Sequence, residues 1–300
     1  KIVSEKGFST LSGDQLSHQK NWNKSVPEIY HDYHTRRHWS DELVKTCQDA
    51  NIQFMTTPYD IEAVNQFKHV VPAFKIGSGD ITYHELLTEI AQVQKPVLLA
   101  TGASSIKEVI SAISILGRYN DKIVLMQCNT NYENTQNNFK YLNLNVLKSF
   151  AVIWPNMPLG LSDHTPGHSA VLGAIALGAR VIEKHFTDDN ARIGPDHKFA
   201  MNPDTWRQMV EASRELEAAL GNGVKIVEEN EARTVVIQRR AMYATRHINR
   251  GEKLNVKSLE ALRPAPLGAL TPDRMELALG KEIVREIKEG EVVTWDHVRL

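Results

Sequence analysis

The chain is poor in several features that mark specialised classes of protein. Its 300 residues include only two cysteines, Cys47 and Cys128, which cannot build a disulfide framework and fit a reducing compartment. No apolar run approaches the roughly eighteen residues of a membrane span. The formal net charge of −1 gives no electrostatic basis for binding nucleic acid or an anionic membrane. We therefore expect a cytoplasmic globular protein that binds neither.

The first part of the chain also has no apolar strand. Lys1–Lys24 reads as a polar loop with a short helical piece, and the sequence opens at a lysine rather than a methionine. We expect the true amino terminus to lie upstream, so the lack of a signal peptide carries no weight.

After this segment, short apolar runs alternate with helical-looking segments such as Asp41–Ala50, Tyr83–Ala91 and Ser105–Leu116. Alternation of this kind predicts an α/β fold with a parallel sheet. The six predicted strands, two fewer than a (β/α)₈ barrel requires, are Ile52–Thr56, Ala73–Gly77, Pro96–Thr101, Lys122–Cys128, Pro158–Ser162 and Ala179–Lys184.

The last two runs each lead into a histidine, His164 and His185. The small-residue segment Gly167–Gly178 between them is a predicted crossover helix, and a right-handed crossover makes the two strands parallel. Both imidazoles then lie at the carboxyl end of the sheet, where α/β folds carry their chemistry. They can share one divalent ion that keeps positions open for water or substrate. Alternatively, each histidine caps its strand or bonds a loop carbonyl.

Other strand ends carry groups suited to an anion. Lys75 lies inside an apolar run, where an ammonium is costly to bury unless it meets an anion, and Ser78 follows between two glycines. Thr101 begins a hydroxyl-rich loop whose backbone N–H groups can hold phosphate oxygens. Thr57 offers a further hydroxyl, although it is equally suited to capping a helix. Gly-Ser-Gly can also be a simple turn.

The carboxy-terminal part of the chain changes character. Met201–Leu220 is a predicted amphipathic helix that ends before Gly221. The charged, glycine-containing stretch 221–233 reads as a linker. Short β-like runs such as Ala241–Thr245 and Glu291–Thr294 follow. We predict a catalytic α/β domain over 1–220, a linker over 221–233 and a small β-rich domain over 234–300.

Four motifs together resemble the sialic acid synthase family. They are S-D-H-T-P-G from Ser162, V-I-E-K-H-F-T-D from Val181, G-P-D-H from Gly194 and M-N-P-D from Met201. The resemblance implies condensation of phosphoenolpyruvate with an N-acetylated amino sugar to a nine-carbon 2-keto acid. It also implies a (β/α)₈ TIM barrel whose first two strands lie upstream of Lys1, followed by an antifreeze-like SAF domain. A glutamate and a lysine that the family carries in those strands do not occur here, so the chain as it stands is expected to be inactive.

The resemblance also implies roles for individual residues. His164 and His185 would hold Mn²⁺ or Mg²⁺. The residues that would bind phosphoenolpyruvate are Lys75, Ser78, Thr57, Thr101, Thr130, Tyr132 and Ser162. Those that would orient the sugar are Glu183, Asp196 and Arg263, the arginine reaching the partner's site in a domain-swapped homodimer. For Thr130 and Tyr132 a solvated loop is the alternative, for Asp196 a turn, and for Arg263 a surface position.

Two other readings remain open. A metal-dependent barrel aldolase or hydrolase would use the same histidine pair with a Schiff-base lysine, for which Lys75 is the candidate, or with a metal-activated water. A non-catalytic carbohydrate-binding protein would leave the ionisable strand ends without a purpose. The sequence does not decide between N-acetylmannosamine and a 2,4-diacetamido hexose as the acceptor.

Overall fold

A computed structural model describes residues 26–33, 35–132, 138–194 and 196–299. The chain divides into two compact units, Lys1–Gly221 and Asn222–Leu300. The predicted polar loop at Lys1–Lys24, and Pro195 of the G-P-D-H motif, lie outside the described residues. No helix in the described part of the chain is long and apolar enough to cross a membrane.

The first unit alternates strands and helices in the order that the sequence predicts. Its elements are α1 (Val26–Tyr33), α2 (Ser40–Asp49), α3 (Ile61–Phe67), β1 (Phe74–Ile76), α4 (His84–Gln92), β2 (Val97–Ala100), α5 (Ile106–Leu116), β3 (Ile123–Cys128), α6 (Phe139–Leu142), α7 (Val146–Ile153), β4 (Leu159–Asp163), α8 (Ser169–Ala176), β5 (Ala179–Lys184) and α9 (Pro203–Leu220).

The five strands form one sheet in the order β1-β2-β3-β4-β5, with every neighbouring pair parallel. Five of the six predicted strands are therefore confirmed. The predicted strand Ile52–Thr56 is reduced to a single parallel bridge from Thr56 to Phe74. Its side chains at Ile52 and Met55 are exposed, and among the described residues no strand pairs with its outer edge. The α/β class is confirmed, and closure into an eight-stranded barrel stays a prediction.

Side chains alternate between the two faces of these strands. One face packs under the helices: the main apolar cluster joins residues of β1–β4, such as Ile76, Leu99, Leu125 and Leu161, to α4, α5 and α7. The intervening positions, including Lys75 and Ser162, therefore lie on the opposite face, called here the inner face. Each βα loop leaves the carboxyl end of the sheet, so polar residues at that end collect around the inner face.

Local signals in the sequence fix the helix boundaries. Ser105 and Glu108 form a capping box at the start of α5, where each residue bonds the other's backbone N–H. Asn202 caps α9 in the same way with Thr205, and Pro203 occupies the first helical position. The other end of α9 stops at Gly221, whose φ of 57° suits glycine.

The second unit is small and β-rich, as predicted. It contains α10 (Ala232–Gln238), an antiparallel pair β6 (Ala241–Ala244) and β7 (Leu259–Leu262), and α11 (Met275–Ala278). Isolated antiparallel bridges extend the pairing, for example between Ile248 and Ile287. The predicted strand Glu291–Thr294 is present only as bridges at Val292 and Thr294. The apolar cluster of this unit is separate from that of the first.

The predicted linker 221–233 stays a prediction, and its second half contains local helical structure. A 3₁₀ turn covers Glu229–Glu231, and α10 begins at Ala232. Glu228 starts this helical stretch, because its backbone N–H donates to the Glu231 carboxylate at 3.3 Å. Glycine content and charge alone do not reveal such a cap.

Candidate active site

The two predicted metal-binding histidines come together at the carboxyl ends of β4 and β5. His164 follows β4 and is 8% exposed. His185 follows β5, and its side chain is 15% exposed. The centroids of the two imidazole rings are 5.2 Å apart. At this spacing, both rings can contact the same small ligand.

Polar contacts at Nδ1 set the orientation of both rings. The Nδ1 atom of His164 lies 2.9 Å from the backbone carbonyl of Asn129. A carbonyl only accepts, so Nδ1 carries the proton and the lone pair lies on Nε2. His185 Nδ1 lies 3.3 Å from an oxygen of Asp196, and a carboxylate favours the same tautomer. Partners of this kind orient histidine ligands in metal sites.

Aromatic side chains pack against the imidazoles. The Tyr132 ring lies 4.4 Å from the His164 ring and meets the His185 ring edge-on at 5.7 Å. Phe199 packs against the His185 ring, and the centroids of these two rings are 5.0 Å apart. Burial, assisted by the negative charges of Cys128, Asp196 and Glu183, raises the pKa of Tyr132 well above its ordinary value. The phenol therefore stays protonated and can donate a hydrogen bond.

Lys75 provides positive charge on the inner face. Its Nζ lies 3.3 Å from Oε2 of Glu183 and donates to the Ile76 carbonyl at 3.0 Å. The Lys75 side chain is 9% exposed, whereas that of Glu183 is 37% exposed. The pair joins β1 to β5 across the inner face.

Gly102 is the centre of a group of small polar residues. Its backbone N–H donates to Ser78 Oγ at 2.9 Å. A methyl group on Gly102 would lie 1.9 Å from Thr130 Oγ1, 2.9 Å from Ser78 Oγ and 3.1 Å from Cys128 Sγ. Only glycine lets these three side chains converge. The predicted residues Ser78 and Thr130 are thus brought together, and the sequence prediction missed Gly102 and Cys128.

The Cys128 thiol belongs to this group. Its Sγ lies 3.7 Å from Thr130 Oγ1 and 3.9 Å from His164 Nδ1. Burial raises the pKa of the thiol, but contacts with His164, Ser78 and Thr130 outweigh burial and hold it below the ordinary value. The sequence analysis gave Cys128 no role in the site. Its position at the end of a predicted strand was the signal that pointed to the site.

The remaining predicted residues differ in their burial and in the polar groups that they leave available to a ligand. Thr101 is buried, and both its hydroxyl, at 2.9 Å, and its backbone N–H, at 3.1 Å, donate to the Met126 carbonyl, so its hydroxyl offers a ligand only lone pairs. Thr57 and Ser162 are buried at strand ends. The Asp196 side chain is half exposed at 52%. Arg263 lies in the second unit, where its Nε donates to the Gln238 carbonyl at 2.5 Å.

Asp80 is a further acidic group that the sequence prediction did not select. A methyl group on Gly77 would lie 3.7 Å from Asp80 Oδ2 and 3.8 Å from Thr57 Cγ2, which puts this carboxyl beside the predicted threonine. Burial raises the pKa of Asp80 to about 6, although the positive charge of Lys75 opposes the shift. A carboxyl with this pKa changes its charge near neutral pH.

The donor set at the histidine pair suits a divalent ion that is held by few protein ligands. Among the described residues, no group of three or more His, Cys, Asp or Glu side chains is arranged to hold a metal. The two imidazoles would therefore leave most coordination positions to water or substrate, which is typical of catalytic rather than structural metal sites.

Comparisons with known proteins cover both units of the chain. The NeuB family matches residues 5–225, and the SAF domain matches residues 239–299. The chain is 34% identical to N,N'-diacetyllegionaminic acid synthase of Campylobacter jejuni over 256 residues, covering 84% of this chain and 75% of that protein. It is 31% identical to pseudaminic acid synthase of the same organism over 275 residues, covering 91% of this chain and 78% of that protein.

A solved structure shows the same fold. Spore coat polysaccharide biosynthesis protein E from Chromobacterium violaceum superimposes with a TM-score of 0.73 at 24% identity, over 98% of this chain and 88% of that one. The resemblance inferred from the four motifs is confirmed. Since the family match covers most of the 300 residues, this chain belongs to the NeuB family and carries a SAF domain after its α/β unit.

Proposed function

We propose that the protein is a nonulosonic acid synthase that condenses phosphoenolpyruvate with an N-acetylated amino sugar. The observation that carries the proposal is the convergence of His164, His185 and Tyr132 at the end of a sheet whose inner face holds the buried ammonium of Lys75. The relatives named acid synthases support the reaction class. In this reaction carbon 3 of phosphoenolpyruvate bonds to the aldehyde carbon, water adds at carbon 2, and phosphate leaves by carbon–oxygen cleavage.

The anionic substrate would lie between β1 and β3. Lys75 supplies the positive charge, and Ser78 Oγ and the Gly102 region supply hydrogen bonds. Thr57, Thr130 and Ser162 add hydroxyls at neighbouring strand ends, and the protonated phenol of Tyr132 adds a donor. Such preorganised groups act by positioning the reactant and by stabilising negative charge.

The sugar would approach from the histidine side. His164 and His185 would bind Mn²⁺ or Mg²⁺ through Nε2, because the Asn129 carbonyl and the Asp196 carboxylate already engage the two Nδ1 atoms. A divalent ion there supplies Lewis-acid polarisation of a carbonyl. Asp196 and Glu183 would orient the hydroxyl and acetamido groups of the sugar. Arg263 of a second copy would complete the site in a homodimer.

The alternatives fit the site less well. Schiff-base lysines are activated by an apolar pocket or a neighbouring cation, whereas Lys75 lies 3.3 Å from a carboxylate. A carbohydrate-binding protein needs no inner-face lysine and no oriented pair of imidazoles. The inner-face lysine and the oriented pair of imidazoles instead match a metal-assisted reaction of an anionic substrate.

The direct experiment measures phosphate release by the full-length protein. Phosphoenolpyruvate and Mn²⁺ are supplied with either N-acetylmannosamine or a 2,4-diacetamido hexose, and the product is identified by mass. Because a named relative makes an N,N'-diacetylated acid, the diacetamido sugar is the first to be tested. We expect sugar-dependent phosphate release that chelation abolishes and Mn²⁺ restores. Release without sugar, or a product lacking three added carbons, would refute the condensation.

A further inference from the structure

A buried network lies next to the two histidines but on the other face of the sheet. Lys184 Nζ lies 2.7 Å from Asp163 Oδ2, and the two side chains are 3% and 0% exposed. Thr165 donates to Asp163 Oδ1 from its backbone N–H at 2.9 Å and from its hydroxyl at 2.8 Å. Lys184 also donates to the Thr165 carbonyl at 2.7 Å. The network ties the end of β4 to the end of β5.

Strand alternation separates these groups from the substrate side. Leu161 and Ile182 pack with the apolar cluster under the helices, so Asp163 and Lys184, two residues further on, share that face. His164 and His185 follow them and turn to the inner face. Neither charge of the network reaches a reacting atom. Any effect on the reaction must pass through other residues.

The register of the sheet places the network directly before the two histidines. Asp163 and Lys184 are Cα partners, and theirs is the last pairing between β4 and β5. The next residue on each strand is one of the two histidines. The ion pair is thus the last cross-strand connection before the imidazoles, and it fixes the separation at which their backbones leave the sheet.

Stability alone does not account for a pair buried in this way. Removing two charges from water is costly, and well-packed apolar replacements of buried ion pairs often leave a protein equally or more stable. What the pair adds is a short, directional connection at one pairing of the sheet.

We propose that Asp163, Lys184 and Thr165 are positioning residues that set the spacing of His164 and His185 for a divalent ion. The proposal rests on the proposed function, since it assumes that the two imidazoles bind this ion. It assigns the network no contact with substrate and no role as a ligand.

The test measures Mn²⁺ binding directly, without an assay of activity. Full-length protein is stripped of metal, and free Mn²⁺ is followed by its electron paramagnetic resonance signal during titration. The main variant combines Asp163→Asn with Lys184→Gln, which removes both charges together and leaves groups that can still hydrogen bond. We expect its dissociation constant for Mn²⁺ to rise by about tenfold or more, the scale on which outer-shell partners act.

Two further variants make the result specific. Thr165→Val removes one hydroxyl and keeps the ion pair, so it should fold and show a smaller loss of affinity in the same direction. Val171→Ala is the matched control for destabilisation, because Val171 is buried in α8 but has no part in the network. It should lower the unfolding temperature and leave Mn²⁺ binding unchanged.

The outcomes separate the two proposals. If the wild type does not bind Mn²⁺ through His164 and His185, the metal part of the proposed function and this inference both fail. If the wild type binds Mn²⁺ and the network variants bind it equally well, only the positioning role is overturned. The positioning role is also overturned if Val171→Ala weakens Mn²⁺ binding as much as the Asp163→Asn, Lys184→Gln double variant does. Should the Asp163→Asn, Lys184→Gln double variant not fold, the effect of Thr165→Val on Mn²⁺ binding decides.

Discussion

Lys75 and Glu183 form an ion pair of 3.3 Å although they belong to β1 and β5, the two edges of the five-stranded sheet. In a flat sheet, four strand spacings of about 4.8 Å would separate these edges by roughly 19 Å. The contact therefore requires a strongly curved sheet with its inner face concave. Curvature of this kind is what a barrel needs, and it brings residues of every strand to one shared volume.

Replacing Lys75 by methionine should impair use of phosphoenolpyruvate. A charge-assisted hydrogen bond to the substrate would be lost, at about 1.5–3 kcal/mol, so we expect kcat/KM for phosphoenolpyruvate to fall roughly 10- to 100-fold. Steady-state kinetics of the full-length enzyme provide the measurement. Lys95→Met is the matched control, because Lys95 bonds the Val71 carbonyl at the opposite end of the strands. Equal losses in both variants would argue against an anion site at Lys75.

Gly102→Ala should disrupt the site through steric crowding. The added methyl group would lie 1.9 Å from Thr130 Oγ1, and overpacking costs about 1–3 kcal/mol. Combining it with Thr130→Ala should restore part of the lost stability, since that variant removes the closest atom. Urea unfolding of the two single variants and the double variant measures this coupling. Gly79→Ala is the control, because nothing lies within 4 Å of its added methyl group. Strictly additive effects would contradict the contact.

Asp80 should make stability depend on pH in the mildly acidic range. Burial raises its pKa from 3.8 to about 6, so the folded state holds this proton more tightly than the unfolded state does. The contribution of Asp80 is most favourable below pH 3.8 and is lost as the pH rises towards 6. Asp80→Asn should therefore stabilise the protein at about pH 8, by on the order of 1 kcal/mol after solvent screening, and much less at about pH 4.

Thermal unfolding at both pH values measures this difference. Asp121→Asn, at an exposed position before β3, is the comparison for loss of a surface carboxylate. A constant difference between Asp80→Asn and the wild type across the range would contradict the shifted pKa.

Arg263 should act on the site of a second copy. We expect two inactive full-length variants, His185→Ala and Arg263→Ala, to regain activity when they are mixed under conditions that exchange subunits. In a two-fold dimer, each mixed pair would contain one site with both residues intact, so up to about half of the wild-type activity per dimer returns. Mass spectrometry confirms the exchange. Exchange without activity would mean that Arg263 does not work across the interface.

Much of this architecture was accessible from the sequence, because it depends on local patterns. Apolar runs predicted five of the strands, alternation and periodicity predicted the main helices, and the polar residues after each strand predicted the candidate site. Ile52–Thr56 failed as a strand because pairing depends on a neighbour and not on the run itself. Contacts between distant strands were equally out of reach: no pattern around Lys75 indicates that Glu183, more than a hundred residues later, will be its partner.

Asp163 and Lys184 illustrate the same limit in a different way. Both were visible as charged neighbours of the histidines, but the sequence does not say on which face of the sheet each one lies. That distinction follows from the register of β4 against β5, which a bulge shifts near Gly160. Once the register is known, strand alternation divides one polar cluster into an inner-face pair, the histidines, and a pair on the helix-covered face.

The hydrogen bond that orients His164 does not depend on the side chain of its acceptor residue. Its acceptor is the backbone carbonyl of Asn129, which every amino acid would supply equally. Alanine at residue 129 would remove the side-chain bond to the Tyr141 carbonyl at 3.3 Å but leave intact the main-chain acceptor that selects the imidazole tautomer. Mutation cannot remove that carbonyl, and natural variation at position 129 would carry no trace of its role. Only a change in the main chain itself, such as an ester in place of the amide between residues 129 and 130, would weaken the acceptor and expose the dependence.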